Sequence, residues 1–428
     1  MRRDLLSYTL LFTTPVTGFY RQGASLVCDG VPLAPIAAGH GTPLYVYSAA
    51  TIAARYRAID EAFAAYPHSI HYALKANSTL AIARLLRGLG SSADANSGGE
   101  IDVALRAGFT PSQIVFTGVG KTPAELTHAI ALGIKAINVE SSGEIQRIEA
   151  IASARGARVT IALRINPDID ARTHAHISTG LKTNKFGIPF ERVKAIARDA
   201  RHLASVQIVG LHIHIGSQIT DLGPLSDAAR ALAQLARELR DEGTPIEHLD
   251  LGGGLGVSYD GSPVPSAQDY ASALLPAVRD SGFAIVLEPG RQIMAPAGIL
   301  LTRVVDVKPQ DERKSFVVMD AGMTELIRPM LYNAFHRIEP VVERDEPALA
   351  ADVVGPLCES SDTLGKDRTL RNPQPGDLYA IMDAGAYGSV MASNYNRRLL
   401  PAEVLVDEGA ARLIRRRQTL DDLLALEV

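Results

Sequence analysis

Between Ser69 and Gly290 the chain repeats one pattern. A short apolar run rich in β-branched residues meets a glycine or asparagine break, and an Ala/Leu-rich stretch follows with apolar positions every three to four residues. Eight such runs read as strands, at 70–74, 92–95, 114–117, 136–139, 159–165, 208–215, 248–251 and 284–287. Helical periodicity covers 78–89, 124–132, 142–154, 190–200 and 226–242. Eight β/α units with no internal boundary predict a (β/α)8 TIM barrel, whose site residues gather where the strands end. A doubly wound sheet would show fewer strands and a single phosphate-binding turn.

After Gly290 the pattern changes to apolar strands at 300–307, 315–319, 352–357, 378–382 and 403–406, separated by Pro/Gly/Asp turns with little helix. An all-β domain, a barrel or sandwich, is predicted. Asp407-Glu408-Gly409 reads as a hairpin turn before a strand at 411–414, and Thr419-Leu420-Asp421-Asp422 as the capped start of a terminal helix. A further hairpin at 19–28 is expected to join the β domain, because chain ends often meet. The expected organisation is an extension (1–17), N-terminal strands packing with the β domain (18–40), the barrel (41–295) and the C-terminal β domain (296–428).

With 428 residues, 46% of them hydrophobic, the chain has enough apolar material for the cores of two or three domains. Net charge is -4 and no long basic block precedes Arg415-Arg416-Arg417, so nothing in the charge pattern favours nucleic acid as a partner. Two cysteines cannot make a disulfide framework, and a reducing, cytoplasmic setting is expected. No run approaches the roughly 18 uncharged apolar residues that a membrane span needs. The start carries two arginines and the apolar stretch 5–12, superficially like a signal peptide. It is short, interrupted by polar residues and lacks a small-residue cleavage site, so an N-terminal extension is expected instead.

The barrel's strand ends are where chemistry is sought. Lys75 closes the first apolar run, where partial burial would lower its pKa and raise the share of free amine available for Schiff-base formation. The glycines Gly252, Gly253 and Gly254 end strand seven and expose backbone N–H groups, the usual phosphate position of such barrels. Gly290 and Arg291, at the next strand end, strengthen an anion site with a fixed guanidinium fork. A phosphate and an imine-forming lysine on one barrel suggest pyridoxal 5'-phosphate. Glu288 is then placed to keep its pyridine nitrogen protonated. His212 and His214 alternate inward on strand six, and His214, nearer the strand's end, is the better candidate to stack on a ring. Cys358 lies between Pro356-Leu357 and the polar run Glu359-Ser360-Ser361-Asp362, so an exposed loop is expected, where a thiol exchanges protons; Cys28 reads as structural. Taken singly, each has a plainer role: a surface lysine, core histidines, a salt-bridged arginine, a small buried cysteine.

Seven motifs in order, YALKAN, ADANSGGE, HIHIGSQ, LDLGGGLG, EPGR, GPLCESSDTLGKDR and DAGAYGSVMASNYN, resemble those of the diaminopimelate decarboxylase family. These are fold-type III pyridoxal-phosphate enzymes related to alanine racemase and ornithine decarboxylase. The resemblance runs from about Phe19 to about Val406. It implies that Lys75 holds the cofactor, His214 stacks on its ring, Ser217 and the glycine turn hold its phosphate, Glu288 faces the ring nitrogen, and Tyr387 lies near cofactor and substrate. It further implies that Cys358 protonates the carbanion, that Glu359 meets the distal ammonium, and that Arg291, Arg328 and Tyr332 bind the distal carboxylate. No metal is implied. In the family the cysteine loop serves the neighbouring subunit, so a homodimer with shared sites is expected. The expected reaction converts meso-2,6-diaminopimelate to L-lysine and CO2, the last step of lysine biosynthesis. The stretches at 177–180 and 184–187 also resemble this type. The alternatives are a related decarboxylase acting on ornithine, arginine or a carboxylated polyamine, which should carry an acid where Arg328 stands, or a non-catalytic relative that would not need Lys75, Glu288 and Cys358 together.

Overall fold

Ile70, His71, Tyr72 and Ala73 are buried in the first of eight parallel strands. The computed structural model describes residues 18–171, 179–180, 184–310 and 314–428; residues 1–17 and positions 177 and 178 lie outside them. The strands are His68–Ala73, Ser92–Ala95, Ile114–Phe116, Ala136–Val139, Val159–Asn166, Val206–Ile213, His248–Asp250 and Ala284–Leu287. Each pairs in parallel with the next, and the eighth pairs with the first, so the sheet closes into the predicted barrel. Closure leaves few exposed backbone groups and fixes which strand ends are neighbours.

Local chemistry sets where the outer helices begin. The side chains of Ser97, Thr122, Ser141 and Ser266 each accept a backbone N–H three residues on, satisfying donors that a helix start would leave unpaired. Two boundaries differ from expectation. The apolar run of strand one stops at Ala73, and Leu74–Ala76 forms a 3-10 turn that carries Lys75. The helix read at 190–200 begins as a 3-10 turn, Phe190–Arg192, before Val193–Ala200.

The second sheet has nine strands, and its spine comes from an unexpected place. Leu44–Ser48, within the stretch assigned from sequence to the barrel, pairs antiparallel with Gly298–Pro309 and parallel with Ala402–Asp407. Alternation explains the placement: Leu44 and Val46 pack into one core with Cys28, Ile299 and Val404, while Tyr45 and Tyr47 pack into the core shared with the barrel. A five-residue strand buried on both faces belongs in the middle of a sheet. The strand Thr363–Arg371 was not apparent in the sequence, because its lysine and arginines leave only Leu364, Gly365 and Leu370 buried. The region read as a strand at 352–357 splits into a strand, Ala348–Val354, and a loop that carries Cys358.

The N-terminal hairpin, Phe19–Gln22 with Ser25–Cys28, meets the β domain through Leu26 N–H to Val341 O (2.8 Å) and Glu343 N–H to Ala24 O (2.8 Å). Cys28 is fully buried there, and burial pushes its thiol pKa up, which fits a packing role. The predicted hairpin joins Ala402–Asp407 to Ala410–Arg415, with Glu408 and Gly409 at positive φ as a two-residue turn requires. Thr419 caps the terminal helix Leu420–Leu424.

Candidate active site

Lys75 Nζ donates to Asp94 Oδ2 at 2.9 Å. The pairing follows from the barrel's register, since Ala73 on strand one lies opposite Asp94 on strand two. Asp94 is fully buried, and Asn96 Nδ2 donates to its other oxygen at 3.1 Å. Burial alone would lower the Lys75 pKa, but the Asp94 charge, with Glu288 and Tyr387 behind it, outweighs burial and raises it. The expectation of a depressed amine pKa is therefore corrected: in this structure Lys75 is an ammonium held by a carboxylate that the sequence reading did not weigh.

Glu288, just past strand eight, lines the same cavity as Lys75. His212 Nε2 lies 3.2 Å from Glu288 Oε2, and ligating atoms of His212, Asp250 and Glu288 lie within 4.8 Å of one another, all buried. Burial favours a neutral Glu288, yet His212, and then Lys75, hold its pKa down at about 2. Asp250 takes the opposite state, pushed well up by burial and by the Glu288 charge. Two buried carboxyl groups this close favour sharing a single proton. Glu288 Oε1 is buried without a hydrogen-bond partner.

His214 follows the last residue of strand six and lines the cavity, whereas His212 lies beneath it against Glu288. Gly253 N–H donates to His214 Nδ1 at 3.3 Å, so the imidazole is neutral with its proton on Nε2. Burial, and then the Lys75 and Arg164 charges, push its pKa well down. Thr179 Oγ1 donates to His214 O at 2.5 Å, fixing the backbone below the ring.

The glycine turn owes its tight course to missing side chains. A Cβ at Gly253 would sit 2.2 Å from Glu288 O, and Gly254 has φ of +105°. Ser217 Oγ accepts from Arg291 Nε (3.1 Å) and Nη2 (3.0 Å), bringing strands six and eight together beside that turn. Tyr387 completes the wall. Its φ of +55° is unusual for a bulky side chain and costs about 1–3 kcal/mol, and its N–H is tied to Ala76 O at 2.9 Å, beside Lys75.

Arg291 also lines a second cavity, with Arg328, Tyr332, Tyr259 and Phe335. Arg291 Nη1 donates to the Tyr259 hydroxyl at 2.7 Å, and Arg328 Cζ lies 4.6 Å from that tyrosine's ring centre. Both guanidinium groups are buried, and among the described residues neither is ion-paired. Burial, with some help from Arg291, lowers the Arg328 pKa, and Arg328 Nε is buried without a partner. Two buried cations without a counter-charge among the described residues form a site for an anion.

Not every predicted residue joins these cavities. Cys358 is free and exposed, and Glu359 accepts from Ser361 within its own exposed loop; neither lines either cavity of this chain. Asp362 pins the loop, its oxygens accepting from Leu357 N–H (2.9 Å) and Met323 N–H (2.6 Å). Asp94, Asp250, Tyr259 and His336 were missed as site residues. For Asp94 and Asp250 a signal existed, an acid at the inner end of a barrel strand; for Tyr259 and His336, both in irregular segments, none did.

A closed β/α barrel with a lysine, a glycine turn and an acid at neighbouring strand ends is the frame of a pyridoxal-dependent decarboxylase. Residues 49–295 match the family described as "Pyridoxal-dependent decarboxylase, pyridoxal binding domain". The diaminopimelate decarboxylase of Vibrio cholerae serotype O1 is 48% identical, over 95% of this chain and 98% of its own length. That of Aquifex aeolicus is 44% identical, over 94% and 95%. Among solved structures, the Helicobacter pylori diaminopimelate decarboxylase complexed with L-lysine is 43% identical with a TM-score of 0.89, covering 92% of this chain and 99% of that one. The M. jannaschii enzyme in complex with L-lysine reaches 0.91 at 38% identity, covering 96% and 98%. The chain belongs to the diaminopimelate decarboxylase family.

Proposed function

We propose that this protein decarboxylates meso-2,6-diaminopimelate to L-lysine and CO2, using pyridoxal 5'-phosphate held at Lys75. The observation that carries the substrate is the pair of buried guanidinium groups of Arg291 and Arg328, without an ion-pair partner among the described residues, in a cavity that shares Arg291 with the lysine cavity. An amino acid with a cationic far end and no carboxylate would leave both arginines unpaired, which argues against ornithine or arginine.

The residues fit the cofactor. Glu288 Oε1, a buried acceptor without a hydrogen-bond partner, suits the protonated ring nitrogen; the end of the glycine turn at Gly254, past the Gly252 and Gly253 N–H groups that donate to Asp250 and His214, suits the phosphate together with Ser217; His214, neutral and held by Gly253, suits the ring face. When bound, the cofactor supplies an electron sink for the pair left behind as CO2 departs. His212 and Lys75 favour the anionic form of Glu288, which would stabilise a positive charge at the ring nitrogen. Lys75 would hold the cofactor, and in the cofactor-free protein the Asp94 carboxylate balances its ammonium charge. Cys358 delivers a proton to the α-carbon, and Glu359 meets the distal ammonium.

The last two roles require a second subunit, and we assign the active unit as a homodimer. Exposure of Cys358 on a loop braced by Asp362 supports a thiol presented outward, to the partner's pocket. Both cysteines are free, which supports a cytoplasmic setting, and no helix among the described residues is long and apolar enough to cross a membrane.

The deciding experiment is CO2 release from diaminopimelate, ornithine, arginine and lysine in parallel. Turnover of diaminopimelate alone is expected; turnover of ornithine in preference to it would defeat the substrate reading. Borohydride reduction should leave a pyridoxyl group on the Lys75 peptide, and Lys75→Ala should lose essentially all activity.

A further inference from the structure

His336 is fully buried, and its two ring nitrogens are committed. Nδ1 lies 2.8 Å from Met382 O, a carbonyl that can only accept, so Nδ1 carries the proton. Nε2 lies 2.7 Å from Arg328 Nη1, which can only donate, so Nε2 must present a lone pair. One tautomer satisfies both contacts, and it is neutral. The ring also packs edge-to-face on Tyr259, with centroids 5.1 Å apart, and Tyr259 in turn lies against Arg328 and accepts from Arg291. His336 itself lines neither cavity.

We propose that His336 is a positioning residue for the distal carboxylate: as a neutral acceptor it takes one N–H of Arg328 and fixes the plane of that guanidinium, leaving Nε and the remaining donors for an anion shared with Arg291. The proposal rests on the reading of the second cavity as the distal-carboxylate site. A carboxylate in place of His336 would pair with Arg328 and cancel the charge the substrate needs, whereas an apolar residue would leave the guanidinium free to turn. A neutral acceptor orients the cation without neutralising it. Burial, and then the Arg328 charge, push the His336 pKa down to about 3, consistent with that neutral state.

The test compares unaltered holoenzyme with His336→Leu, which removes the acceptor, and His336→Gln, which keeps a neutral one. In His336→Leu, KM for diaminopimelate should rise about tenfold or more, the scale of a lost hydrogen bond to a charged group, with kcat and the cofactor absorption spectrum little changed. His336→Gln should recover most of the loss. Calorimetry with pimelate, a seven-carbon dicarboxylate that undergoes no reaction, and with hexanoate reads the same effect without turnover: His336→Leu should lose the preference for pimelate. An unchanged KM in His336→Leu, or equal losses of kcat and cofactor content with equally raised KM in both variants, would overturn the positioning role. No preference for pimelate in the unaltered enzyme would instead remove the distal-anion reading, and the proposal with it.

Discussion

Lys75 and Asp94, nineteen positions apart in sequence, meet at 2.9 Å because strands one and two are adjacent in the barrel. The contact reverses the effect of burial on the amine.

Asp94→Asn should shift cofactor capture to lower pH, because burial, which lowers the Lys75 pKa, is then opposed only by the smaller effects of Glu288 and Tyr387. The stability sign is separate. A raised lysine pKa stabilises the cofactor-free fold fully below the ordinary lysine value, and the contribution is lost as pH rises through the raised one. The melting-temperature gap between cofactor-free wild type and Asp94→Asn should therefore be flat from roughly pH 6 to 9 and close only in strong alkali. A gap that closes near neutrality would refute this account of the pair.

Glu288→Gln removes the negative charge from a site where His212 and Lys75 now stabilise it. Turnover should fall by about a hundredfold or more, with an altered absorption spectrum of the bound cofactor. Asp250→Asn should alter the pH profile more than the maximal rate, since it removes the carboxyl that titrates together with Glu288. Retention of full activity by Glu288→Gln would show that the carboxylate does not govern the ring nitrogen.

Cys358→Ala and Lys75→Ala should each be inactive or nearly so as homodimers, yet mixing and reassembling them should restore activity. Random assortment makes about half the dimers mixed, each with one intact site, so recovery should approach about a quarter of wild type. No recovery on verified subunit exchange would place the thiol and the lysine in the same subunit's site.

Gly253→Ala should destabilise the fold by about 2 kcal/mol or more, because a Cβ would meet Glu288 O at 2.2 Å with backbone on both sides. Lower cofactor content should accompany the lower melting temperature. An unchanged melting temperature would mean that the turn yields more easily than its geometry suggests.

The apolar runs by themselves determined the barrel. Period-2 and period-3.6 patterning is a local property, and all eight predicted strands formed, with Lys75, Gly252, Glu288 and Arg291 at their ends as position along the chain required. Motif order determined the family in the same way, since each motif is contiguous. What the sequence did not contain was which ends face one another. The register that sets Asp94 against Lys75, the closeness of Asp250 to Glu288, and the seat of Leu44–Ser48 in the β sheet are pairings between distant segments. So is the hold of His336 on Arg328, fixed by where Met382 O lies. Hydrogen bonds and charge couplings depend on distances of a few ångströms between such segments, and only the folded chain sets those distances.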